Sequence, residues 1–82
     1  MQSEIRPTAK QLIASWMRIW QQKLSGTPTE LKDAIRSHAQ LFPKGNQAEA
    51  HSRTLRTVES VGSDADHVRA LLRRGQNTLR NS

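Results

Sequence analysis

The sequence predicts an all-α fold, a small bundle of three to four short helices, on three observations. Apolar residues recur at three- and four-residue spacing in four segments, and nowhere alternate as a strand requires. Each segment is bounded by a glycine, a proline or a capping residue. The stretches between segments are only a few residues long, as between neighbouring helices of a bundle.

The first helix follows Pro7-Thr8, where a proline's missing N–H costs least, and runs to about Leu24. Ser25-Gly26 stops it with a residue able to turn left-handed. Ala9, Leu12, Ile13, Trp16, Met17, Ile19, Trp20 and Leu24 form a stripe about 160° wide, broader than one neighbouring helix covers. A central position follows, touching two partners or a symmetry mate. Thr27-Pro28-Thr29-Glu30 reads as a capping box opening the second helix, with Leu31, Ala34, Ile35, His38, Ala39 and Phe42 on its apolar face. Pro43-Lys44-Gly45-Asn46 ends it.

The third segment, about Gln47 to Val61, has a thin stripe of Ala48, His51, Leu55 and Val58. Gly62 breaks it and Ser63 is expected to cap the fourth helix, with Asp64 and Asp66 where the helix dipole favours negative charge. Ala65, Val68, Leu72 and Leu79 share the inner face of that helix, with Leu71 to the side, and Gly75 is expected to loosen its last turns. The chain thus reads as one helical domain, 1–82, with fraying ends at 1–6 and 78–82.

The core is small. Ile, Leu, Val and Phe make up 16 of 82 residues, close to the level at which a charged chain fails to fold. No cysteine is present, which excludes a disulfide staple, a thiolate metal site and a cysteine nucleophile. A core this thin predicts self-association, most simply as a homodimer. No apolar run approaches the roughly 18 residues of a membrane span. The N-terminus does not resemble a secretory signal, nor the C-terminus a prenylation box, so the expected location is cytoplasmic and no membrane partner is expected.

Charge is the strongest compositional signal: 13 Lys and Arg against 7 Asp and Glu, a net charge of +6, with nine of the cations arginine. Its distribution is uneven. Ile5 to Thr29 carries Arg6, Lys10, Arg18 and Lys23 and no acid; His67 to Ser82 carries Arg69, Arg73, Arg74 and Arg80 and no acid. The middle of the chain is nearly balanced. The first and last helices, side by side, would make one basic face.

No motif of enzymatic chemistry is present: no glycine-rich phosphate loop, no His-Glu-x-x-His, no Gly-x-Ser-x-Gly. The sequence therefore points to no catalytic residue, no cofactor and no metal. His38, His51 and His67 lie on three different helices, and His38 and His51 fall within apolar stripes, as partly buried histidines do. Asp64 and Asp66 serve a helix start better than acid–base catalysis. Trp16 and Trp20, four residues apart, read as core anchors, the competing roles being partner hot spot and membrane contact. Arg69, Arg73 and Arg74 form the leading candidate contact surface, which Arg53 and Arg56 would extend and to which Lys10 and Arg18 contribute from the first helix. Arginine's planar fork of donors suits phosphate.

Gly45-Asn46-Gln47-Ala48-Glu49-Ala50, followed by Ser52-Arg53-Thr54-Leu55-Arg56, is similar to pieces of the helix-turn-helix of Fis-type DNA-binding domains. The turn that separates the two helices of that motif is missing, so the resemblance assigns no family. The functional expectation is a small non-enzymatic regulatory module engaging nucleic acid through phosphate contacts. The alternative is a protein–protein adaptor or inhibitor docking its basic face and a tryptophan on an acidic protein.

Overall fold

Four α-helices and one short 3₁₀ turn follow one another in the computed structural model, which describes residues 8–81. The stretch 1–6, expected to fray, together with Pro7 and Ser82, lies outside the described residues. Helix α1 is Ala9–Ser25, α2 Pro28–Gln40, α3 Gln47–Val61 and α4 Ala65–Arg80, with the 3₁₀ turn at Lys44–Asn46. Among the described residues there is no strand.

Local chemistry explains each boundary, though not always at the residue the sequence suggested. Thr8 caps α1 through a complete capping box: its hydroxyl accepts from the Gln11 N–H at 3.1 Å, and the Gln11 side chain accepts from the Thr8 N–H at 2.8 Å. Gly26 ends the helix at φ 74°, a left-handed conformation. The box expected at Thr27 does not form. The Thr27 hydroxyl donates instead to the Gln22 side chain at 3.2 Å, and α2 starts on Pro28 alone. Asp64, not Ser63, caps α4, accepting from the N–H groups of Asp66 and His67. Ser63 turns back to donate to the Ser60 carbonyl.

Helix α2 ends two residues earlier than its apolar face implied, leaving Phe42 just beyond it. Gln47 secures that corner by donating its side-chain amide to the Phe42 carbonyl at 3.0 Å.

Helix α1 is the hub. It packs against α2 on one side and α4 on the other, and α3 docks onto α2. Two neighbours within the chain thus account for the breadth of its apolar stripe. The centre is formed by Ile19, Trp20, Ala34, Ile35, Val58 and Val68, with Trp20, Ile19 and Val68 fully enclosed. Trp16 meets Trp20 edge to face, ring centroids 5.3 Å apart and planes at 88°. The molecule measures 46 × 30 × 18 Å. Its thinnest dimension holds at most two layers of helices spaced ~8–10 Å apart.

Two details depart from the sequence reading. In α3 the inward line is Thr54 and Val58, flanked by Ala50, Thr57 and Val61, and Leu55 is turned outward. In α4, which runs to Arg80, Ala65 in the first turn is exposed and does not join the inner face. Gly75 marks a close approach: a β-carbon there would lie 2.7 Å from Cγ and Sδ of Met17.

Candidate functional site

The cation-rich helices are neighbours. Helices α1 and α4 pack side by side, and their only acid among the described residues is Asp66, in the first turn of α4. Lys10, Arg18, Arg69, Arg73, Arg74 and Arg80 are all exposed. At about 3.6 residues per turn, Arg69, Arg73 and Arg80 fall on one flank of the buried Val68 line, and Arg74 falls on the other. The triplet therefore spreads across the outer surface of the helix.

Local ion pairs temper part of this charge. Arg69 donates to Asp66 at 3.0 Å, so this arginine does have an acid within its own helix. Arg53 donates to Glu49 at 2.7 Å, and Arg36 lies 3.7 Å from Asp33. All three pairs are solvent-exposed and worth at most about 1 kcal/mol, so a stronger anion displaces them readily. Lys10, Arg18, Arg56, Arg73 and Arg74 have no ion-pair partner among the described residues.

Arg53 and Arg56 stand on α3, which docks onto α2, and so do not continue the α1–α4 surface directly. Arg53 instead borders a cleft with Trp16, His38 and Phe42. Sequence spacing could not anticipate this cleft, because its walls come from three helices and a corner.

The tryptophans take different positions. Trp20 is wholly enclosed, and its indole Nε1 has no hydrogen-bond partner. Trp16 is half-buried against the core. An aromatic series continues from it: Trp16 to His38 at 5.4 Å, then His38 to Phe42 at 5.5 Å, edge to face.

His38 is buried at the α1–α2 contact, with Nδ1 3.0 Å from the Ser15 hydroxyl. Burial among apolar neighbours disfavours its charged form and lowers its pKa below 6.5. The unfolded chain then binds the proton more tightly than the folded one. The stability due to neutral His38 is held above pH 6.5 and lost as pH falls through the lower folded-state value. Urea unfolding midpoints at pH 5 and pH 8 should differ, the acid midpoint being lower. His38→Gln should remove part of that difference; an unchanged difference would assign the pH effect to other groups.

A second depression, of about 640 Å³, lies between the start of α2 and α3. Pro28, Leu31, Ile35, Leu55 and Val58 supply its apolar lining, with Lys23, Lys32, Arg36, Asp33 and Glu59 as its charged margins. Among the described residues no three His, Asp or Glu side chains gather as a metal site, and no helix is long and apolar enough to cross a membrane. The pieces similar to a helix-turn-helix lie on the 3₁₀ turn and a single unbroken α3, without the turn that motif requires. No known protein family, curated protein or solved structure matches the chain.

Proposed function

We propose that this protein is a small cytoplasmic, non-enzymatic regulatory module that binds nucleic acid through phosphate contacts from α1 and α4. The observation that carries the reading is the pairing of these two helices. Drawn from opposite ends of the chain, they lie together, expose six cations and carry one acid, itself beside Arg69. Surface arginines without partners are costly to crowd together unless an anion offsets their repulsion. A polyphosphate backbone does so without demanding a concave site.

The test is salt dependence. Each phosphate neutralised releases condensed counterions, so log affinity should fall with log salt by about 0.9 per contact on a duplex, or about 0.7 on a single strand. Changing Arg69, Arg73 and Arg74 together to alanine should reduce that slope by up to roughly 2.7 on a duplex. Affinity should fall about equally for unrelated sequences. Circular dichroism should show the same helix content, because the three side chains lie off the buried line. Unchanged binding by the triple variant would make the cluster a solvated face.

The competing reading, an adaptor or inhibitor of an acidic protein, draws on the apolar depression between α2 and α3, where three cations stand against two acids, Asp33 and Glu59. Trp20, enclosed in the core, is unsuited to anchor such a partner. Absence of nucleic-acid binding even near 50 mM salt, where phosphate contacts are strong, would favour this alternative.

A further inference from the structure

We propose that the cleft between α3 and the α1–α2 pair is a nucleobase pocket, taking one unstacked base of a single-stranded nucleic acid. The proposal rests on the nucleic-acid reading above and adds a site away from the α1–α4 surface. The cleft has a volume of about 190 Å³ and is bordered by Trp16, His38, Phe42, Ala50, Thr57 and Arg53. That is below the ~300–1,000 Å³ of sites for larger small molecules, and it suits a single planar ring system.

The walls match such a ring. Trp16 and Phe42 both line the cleft, and neither is fully buried. His38 lies between them, within 5.5 Å of both by ring centroid, with Nδ1 already engaged by Ser15. Thr57 donates its hydroxyl to the Arg53 carbonyl at 3.0 Å, so it borders the cleft without an unsatisfied donor.

The margin supplies polar chemistry. Arg53 is steadied by Glu49 at 2.7 Å, and both extend into an adjoining recess that Phe42, Ala50 and Asn46 also line. A guanidinium stacks on a base or donates to its edge, and an asparagine amide both donates and accepts. An aliphatic side chain in the same place would cover these polar groups without pairing them. Lys44, on the 3₁₀ turn with Asn46, and Arg56, on α3 with Arg53, are both exposed and add positive charge to these two elements. Bases inside a duplex are already stacked, so the pocket selects single strands.

The test compares a short single-stranded thymidine oligonucleotide with an abasic one of equal length and with a duplex, by titration and tryptophan fluorescence. Trp16 borders the pocket and Trp20 is enclosed, so a base in place perturbs the fluorescence of Trp16. The thymidine oligonucleotide should bind roughly five- to a hundred-fold tighter than the abasic one, as one base stacked on an aromatic ring provides. Phe42→Ala should bring the two affinities together without weakening the abasic complex. Ala50→Leu, which fills the cleft without removing a core side chain, should do the same and guards against a folding defect in the first variant. Equal affinity of the parent for both oligonucleotides overturns the pocket and leaves the phosphate reading standing. Failure to bind any of the three nucleic acids overturns both. Undiminished preference for thymidine in a folded Ala50→Leu variant places the base elsewhere.

Discussion

Trp20→Ala is expected to lower stability by about 3–5 kcal/mol, enough to leave the chain largely unfolded at 37 °C. Trp20 is the largest fully enclosed side chain and stands where α1 meets the rest of the core, so its loss opens a cavity with few ways to collapse. For a domain this small, each kcal/mol shifts the melting temperature by about 4–8 °C. Trp20→Phe is expected to behave quite differently. The indole Nε1 is buried without a partner, a loss of about 1–3 kcal/mol that phenylalanine does not carry. The missing ring volume works in the opposite direction, and the net change should stay within about 1.5 kcal/mol. Thermal melts of the two variants decide the matter. A folded, cooperative Trp20→Ala protein would show that the remaining contacts hold the core without it.

Gly75→Leu is the second large effect. A β-carbon at this position meets Met17 at 2.7 Å, and further atoms would drive α4 away from α1. Overpacking of this kind costs about 1–3 kcal/mol. Gly75→Ala divides the two influences on this site: alanine gains about 1 kcal/mol of helix propensity while forcing the flexible Met17 side chain to shift. Its expected effect is small. The pairing with Met17 is checked by combination, since Met17→Ala should make Gly75→Leu less harmful than it is alone. Strict additivity in denaturant melts would mean that the two side chains do not meet.

The helix count, the hub role of α1 and the stop at Gly26 were legible because strong signals agreed: a wide apolar stripe, short connections and a glycine followed by Thr-Pro. The caps were less so. Thr8-x-x-Gln11 and Thr27-x-x-Glu30 carry the same kind of pattern, and which box closes depends on competing partners in space. Gln22, one turn before the end of α1, takes the Thr27 hydroxyl, an interaction across the turn that no local pattern encodes.

The register of α3 was misjudged for a related reason. Its apolar content is too low for periodicity to fix a face, and threonines read as polar. Thr57 satisfies its hydroxyl on the carbonyl one turn back, so it stands partly buried without an unpaired donor. The inward face holds Thr54 and leaves Leu55 outside. The aromatic cleft follows from the same register, which brings Arg53 beside Phe42 and Trp16. The charge separation between the ends and the middle of the chain was fully visible, whereas the Asp66–Arg69 pair was hidden by counting acids only from His67 onward.

The side-by-side placement of α1 and α4 bears on how the chain folds. Helices α1 and α2 meet across a tight turn, and α2 and α3 across a short one, so both contacts can form early at little entropic cost. The seam between α1 and α4 closes the longest loop in the molecule and unites its two most cationic segments. Self-repulsion is therefore concentrated at the step that completes the fold, in the pairing that Gly75 brings closest. A polyanion bridging the seam would bind the completed structure more tightly than the chain before closure, and mass action would then favour the folded state.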